Sequence, residues 1–378
     1  MRHQTLTAAV IGTGILLAGC TATPPPSATS TFPVPTSSAP VTSAPATSTT
    51  ASPARTAPAT IAGTPQPVAT GLAAPWSVVF REGTPLVSER NSARILELAS
   101  DGSARPIGTV EGVADRGESG LLGLAVGGGG DLYVYSTGSD GNRVQRFAVT
   151  GTPGSLSLGQ PDTLLAGIPA ASTHDGGRIA FGPDGMLYVT AGDAQQRNSA
   201  QDPDSLAGKI LRMTPDGDVP ADNPFPGSLT YSYGHRNPQG LAWADDGTLF
   251  ATEFGQNTWD ELNVIRPGAN YGWPTVEGIA GREGFVDPVQ QWQPGTASPS
   301  GMAQAGGTLF IANLRGQVLR SVPVSDPTTF TDHYSREYGR IRDVALSPDG
   351  QLWFMTNNTD GRGDPRPGDD RILAVPLA

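Results

Sequence analysis

The chain has 378 residues and a formal charge of −11, from 35 acidic and 24 basic side chains. That balance excludes a nucleic-acid partner and electrostatic binding to an anionic membrane face. One cysteine, Cys20, excludes an intrachain disulfide and a thiolate zinc cluster.

The first element in chain order is MRHQTLTAAVIGTGILLAGC: a basic start at Arg2, an apolar run from Leu6 to Ala18, then small residues up to Cys20. The pattern predicts a secretory signal over residues 1–19, too short and wrongly flanked for a membrane span. Its ending resembles the lipobox of bacterial lipoproteins. That resemblance implies acylation of Cys20 and a protein held outside the cytoplasm by a lipid anchor alone. Residues 20–64 are mostly Thr, Ser, Pro and Ala. Such a stretch cannot bury enough apolar surface to offset its chain entropy, so it is predicted to be a disordered tether. Extended at about 3.1 Å per residue, its Pro-rich parts would hold the body up to ~100 Å from the anchor.

From residue 65 to 378 one phrase returns six times, as REGTPLVSE, GGGGDLYVYS, GPDGMLYVTAG, ADDGTLFATEF, QAGGTLFIANL and SPDGQLWFMTN. Its leucine falls at Leu86, Leu132, Leu187, Leu249, Leu309 and Leu352, at spacings of 43 to 62 residues. The Asp-Gly and Gly-Gly pairs supply the positive φ of tight hairpins, and the Leu-aromatic runs after them read as strands. Helical periodicity is absent. Short strands repeating at this interval predict an all-β, six-bladed β-propeller with four-stranded blades.

Four loops stand out against this background. In STHDGGRIAF, His174 precedes a Gly-Gly pair, and a histidine titrates in the range suited to proton abstraction. An ordinary surface histidine fits the same residues. In YSYGHRNPQGLAW, Pro238 stiffens the loop carrying His235, Arg236 and Asn237; Arg236 as a surface charge and Asn237 as a turn residue fit equally. In YGRIRDVALSPDG a strand would put Arg340 and Arg342 on one face, where their planar forks suit a polyanion or a partner such as Asp343 or Glu337. In TEFGQNTWDELNVIRPGANYGWP, Glu253, Asp260, Glu261 and loop carbonyls offer hard oxygen ligands, without EF-hand spacing.

The segments GESGLLGLA, THDGGRIAFGPDGMLYVTAGD, GHRNPQGLAW, DELNVIRPGANYGWP, SPSGM and RIRDVALSPDG, in this order, resemble those of the soluble quinoprotein glucose and aldose sugar dehydrogenases. The resemblance implies a propeller that binds pyrroloquinoline quinone (PQQ) and Ca²⁺ at the channel mouth. It implies oxidation of the anomeric carbon of an aldose to a lactone, with electrons passed to an external acceptor. By the same resemblance His174 is the base for the anomeric hydroxyl and Arg236 and Asn237 contact the reacting side of the quinone. Arg340 and Arg342 hold its three carboxylates, the carbonyls of Gly255 and Gln256 bind the calcium, and Glu261 and Tyr271 contribute to a second calcium site.

Three positions depart from the family pattern. Glu118 stands where glucose-oxidising members have Gln, a carboxylate placed near a tricarboxylate unless it is protonated or paired. Arg315 replaces Lys in the NLRG turn, and remains able to bind an anion. Thr173 replaces the acidic residue ahead of the histidine, with Asp175 after it. Two further readings of the repeat are a metal-dependent lactone hydrolase and a non-catalytic surface binding propeller. Substrate preference is expected to reside in long loops such as Thr275 to Ser300.

Overall fold

The computed structural model describes residues 57–378. The signal segment, Cys20 and the tether up to residue 56 lie outside the described residues. Six four-stranded antiparallel sheets make up the body. The first blade holds β2 (Pro75–Arg81), β3 (Thr84–Glu89), β4 (Arg94–Leu98) and β5 (Ala104–Thr109). The second holds β6 (Leu121–Val126), β7 (Leu132–Gly138), β8 (Gly141–Thr150) and β9 (Ser157–Ile168). The third holds β10 (Ile179–Phe181), β11 (Leu187–Ala191), β12 (Lys209–Met213) and β13 (Thr230–Tyr233). The fourth holds β14 (Pro238–Trp243), β15 (Leu249–Glu253), β16 (Asp260–Ile265) and β17 (Gln290–Trp292). The fifth holds β18 (Pro299–Ala305), β19 (Thr308–Asn313), β20 (Val318–Pro323) and β21 (Thr331–His333).

The sixth blade joins the two ends of the body. Strand β1 (Gln66–Ala69) pairs with β24 (Ile372–Val375), which continues to β23 (Leu352–Thr356) and β22 (Ile341–Leu346). Residues read as the end of the tether already take part. The N–H of Thr60 donates to the Ala378 carbonyl, and Ile61 bridges to Leu377. A ring closed in this way leaves no gap between its last and first sheets.

Each of the six repeated leucines sits in the second strand of a blade, and all are buried. Full burial of such a side chain contributes about 1.5–3 kcal/mol, which accounts for the same residue recurring at the same structural position. Six apolar clusters follow, one between each pair of neighbouring sheets. The first strands contact one another around the axis, β22 with β2, β2 with β6, β14 with β18, and β18 with β22. The loops leading into these strands therefore meet at one end of the channel, while the glycine-bearing hairpins that leave them turn at the other.

Candidate active site

Five of those entry loops surround a cavity of about 240 Å³. Glu118 precedes β6, His174 precedes β10, Arg236 and Asn237 precede β14, Ser298 precedes β18, and Arg340 and Arg342 flank the start of β22. Gly255, Gln256, Asp260 and Arg315 also line the wall. Ten residues singled out from dispersed parts of the sequence, Asp260 among them, thus come together. Glu261 and Tyr271 do not join them. They border a separate void of about 10 Å³ behind Arg236 and Gly255, room for one water or ion.

His174 has a left-handed backbone, φ 66°, a conformation that a side-chain-bearing residue keeps only when its surroundings hold it. Its N–H donates to Glu118 Oε2 at 3.0 Å, and its carbonyl accepts from the Ala194 N–H at 3.1 Å. A Cβ at Gly192 would collide with that carbonyl, so glycine is required there. On the ring, Nδ1 lies 2.7 Å from Asp193 Oδ1, while Asp193 Oδ2 accepts the indole N–H of Trp273 at 2.8 Å. Burial pushes the Asp193 carboxyl up, but the hydrogen bonds and charge of His174 and the Trp273 indole outweigh it and hold the group below the usual range. An ionised Asp193 keeps the proton on Nδ1 and leaves Nε2, which has no hydrogen-bond partner among the described residues, as the basic nitrogen.

Asp193, at the end of the VTAGD phrase, was not anticipated, and it supplies the carboxylate that meets the His174 ring. Asp175 does not. It is buried and accepts from Ser119 Oγ at 2.9 Å, Asn142 Nδ2 at 3.2 Å and the Ala171 N–H at 3.2 Å.

The stiff loop before Pro238 divides its three polar groups. His235 is buried and structural, between Ser232 Oγ at 2.9 Å and Glu253 Oε1 at 3.3 Å, and stacked on Tyr271. Arg236 faces the cavity, with its Nη1 donating to the Phe254 carbonyl at 3.1 Å and its guanidinium over the Trp273 ring, 5.3 Å from the centroid. Burial lowers its pKa, against the opposing pull of Asp193. Its buried Nε has no hydrogen-bond partner among the described residues. Asn237 Oδ1 accepts the Gly176 N–H at 3.0 Å, so it braces the His174 loop as well as lining the cavity.

Arg340 and Arg342 share a counter-ion that sequence reasoning missed. Asp360, from the loop after β23, has Oδ2 3.3 Å from Arg340 and 3.9 Å from each of Arg342 and Arg90. Burial raises its pKa, but Arg340, Arg342 and the other cations outweigh it and hold Asp360 ionised below the usual carboxyl range. The Asp343 anticipated as their partner instead binds Arg178 at 3.1 Å. Arg342 is further held by Gln239 Oε1 at 2.9 Å and Asn357 Oδ1 at 3.2 Å. Counting Arg236, Arg315, Arg340, Arg342 and Arg362 against Glu118 and Asp260, the cavity lining carries more cations than anions.

The 254–260 loop supplies neutral oxygens. Glu277 Oε1 accepts the N–H groups of Gln256, Thr258 and Trp259 at 2.9, 3.1 and 3.0 Å. A Cβ at Gly255 would lie 2.6 Å from that carboxylate oxygen. The carbonyls of Gly255 and Gln256 accept no protein hydrogen bond among the described residues, which leaves them free as ligands for a hard cation. The carboxylates of the same region are otherwise engaged. Glu253 Oε2 accepts the Arg236 N–H at 2.9 Å, and Asp260 accepts the N–H groups of Gly255 and Ser298 at 2.9 and 2.6 Å. Glu261 accepts the Gly278 N–H at 2.7 Å; burial, then the nearby Glu253 charge, pushes its pKa well up.

Comparison with known proteins places this geometry. The family model described as Glucose / Sorbosone dehydrogenase matches residues 72–364. The PQQ-bound aldose sugar dehydrogenase of Streptomyces coelicolor superposes with a TM-score of 0.80 at 47% identity, over 85% of this chain and 98% of that one. Aldose sugar dehydrogenase YliI of Escherichia coli is 35% identical over 231 residues, 53% of this chain and 62% of its own. Quinoprotein glucose dehydrogenase B of Acinetobacter calcoaceticus is 33% identical over 239 residues, 53% of this chain and 50% of its own. The chain belongs to the glucose/sorbosone dehydrogenase family.

Proposed function

We propose that this protein oxidises the anomeric carbon of aldose sugars to the lactone, using PQQ with Ca²⁺, and passes the electrons to an external acceptor. The observation that carries the reading is the meeting, at one cavity, of an Asp-oriented histidine and a surplus of arginines. A flat tricarboxylate fits that charge. Arg340 and Arg342 from the sixth blade and Arg236 and Asn237 from the fourth all line the cavity, where the positive charge of the arginines suits carboxylates. The quinone, when bound, supplies the two-electron acceptor that no side chain here can provide. The free carbonyls of Gly255 and Gln256 fit a calcium ion, which supplies Lewis-acid polarisation.

The chain's own residues do the rest. Nε2 of His174 takes the anomeric hydroxyl proton as the C–H bond gives up its hydride, and Asp193 stabilises the imidazolium that forms. Arg236 places a fixed positive charge where negative charge develops, in a partly water-excluded site where it acts more strongly than in bulk solvent. Glu261 and Tyr271 fit a second, structural calcium less simply. The buried Glu253–Glu261 carboxylate pair favours a cation, but the Tyr271 hydroxyl is already bonded to the Val264 carbonyl at 2.7 Å. The signal and Cys20 motif support an extracytoplasmic, lipid-anchored protein.

Reconstitution of the mature protein with PQQ and Ca²⁺, followed by dye reduction against a panel of aldoses, tests the proposal. Turnover should require both additions. Absence of turnover together with absence of quinone binding would refute it, and PQQ-independent lactone hydrolysis would favour the hydrolase alternative.

A further inference from the structure

Glu118 poses a specific electrostatic problem: a carboxylate on the wall of a cavity proposed to receive a polyanion. Its Oε2 is committed to protein, accepting the His174 N–H at 3.0 Å and facing Asn237 Nδ2 at 3.5 Å. A glutamine oxygen would serve both contacts, so hydrogen bonding alone does not require the charge. The other oxygen, Oε1, lies 3.9 Å from a guanidinium nitrogen of Arg362. Arg362 lines the same cavity and comes from the loop between β23 and β24. That loop is pinned at its base, because Asp360 Oδ1 accepts the Arg362 N–H at 2.9 Å while Oδ2 faces Arg340, Arg342 and Arg90. One carboxylate therefore sets the positions of three arginine side chains and of the backbone of a fourth.

We propose that Arg362 is a further cofactor-binding residue, whose guanidinium both neutralises Glu118 and takes up a carboxylate of the bound quinone. The inference rests on the PQQ reading and deepens it. Arg362 differs from the buried arginines in being unspent. Its side chain is 38% exposed, and Glu118, at 23% exposure, is its only carboxylate within ion-pair distance among the described residues. An arginine fork can serve two carboxylates at once, one on each edge. Without Arg362, Glu118 would face the ligand uncompensated. With glutamine at 118, the compensating part of its role disappears and only direct ligand contact remains.

A double-mutant cycle on PQQ binding isolates this coupling. Wild type, R362Q, E118Q and the double variant are each titrated with PQQ at saturating Ca²⁺, reading the quinone absorbance, with thermal melting as a check that each is folded. R362Q should weaken PQQ binding at least tenfold in the wild-type background and two- to threefold beside E118Q, where no weakening would remove the direct contact with the ligand. Equal weakening in the two backgrounds, or less than a twofold effect in the wild-type background, would overturn the proposal. Failure of the wild-type protein to bind PQQ at all would sink the functional reading itself, and this inference with it, a result distinct from either.

Discussion

At the scale of single residues, the account turns on how the imidazole of His174 is held. A base must present its lone pair in a fixed direction, and here three contacts fix it: the Asp193 carboxylate on the ring, the Glu118 carboxylate on the N–H and the Ala194 N–H on the carbonyl. D193N should bind PQQ with near wild-type affinity but lose turnover by roughly 10²–10⁴-fold, the range general-base catalysis supplies; steady-state kinetics beside a quinone titration separates the two. The same substitution has a stability signature. The Asp193 pKa is lowered in the fold from 3.8, so its stabilisation is fully present above that value and is lost as pH falls through the folded pKa. As pH falls below 3.8, the melting temperature should therefore drop less steeply for D193N than for wild type.

Residue-scale legibility followed chemical distinctiveness. His174, Arg236, Asn237, Arg340 and Arg342 stand in unusual loops and also match family motifs, and all border the cavity. Asp193, Trp273, Asp360 and Arg362 act through partners far away in the chain, and nothing local marks an aspartate at a strand end as an imidazole's partner rather than a turn former. Glu118, singled out by the resemblance, lines the cavity. Its pairing with Arg362 required the folded ring.

At the scale of elements, the repeated phrase was readable because each copy solves the same local problem, a glycine-bearing hairpin followed by a strand whose leucine is buried between sheets. The long excursions between β11 and β12 were not readable, because their order comes from contacts with other segments. Here the only lysine of the chain is decisive. Lys209, fully buried in β12, donates to the carbonyls of Ser199, Ala200 and Ala207 at 2.9, 3.1 and 2.6 Å. The first two carbonyls belong to the 3-10 turn Arg197–Gln201, in which the Arg197 guanidinium lies 4.5 Å from the Trp273 ring centroid. K209M would leave the buried Ala207 carbonyl without a donor, at about 1–3 kcal/mol, because the Ser199 and Ala200 carbonyls still accept the N–H groups of Asp202 and Gly234, and should lower the melting temperature by a few degrees. Unchanged melting would show the clamp to be dispensable. Burial pulls the Lys209 pKa down to about 8 from 10.5. Between those values the unfolded chain holds a proton that the folded one does not, so this group favours folding increasingly as pH rises.

At the scale of the whole molecule, ring closure is what makes the site. The entry loops of five blades reach the same cavity only because β1 completes the sheet of β22 to β24 and fixes the circumference. Ahead of the body lie the residues that carry the proposed anchor. C20A should shift the protein from the membrane fraction to the soluble extracytoplasmic fraction, as read by fractionation of cells, without changing the activity of the folded body; an unaltered distribution would remove the lipid anchor from the account.

The central claim is that the cavity binds PQQ and that His174 then removes the proton that accompanies hydride loss from the sugar. Anaerobic single-turnover mixing of glucose or another aldose with PQQ- and Ca²⁺-loaded protein, followed by the quinone absorbance, tests this most directly. The account predicts rapid bleaching in wild type and bleaching slowed on the order of 10²-fold or more in H174Q, with quinone affinity preserved. Equal bleaching rates in the two proteins, or none in wild type with any aldose, would contradict it.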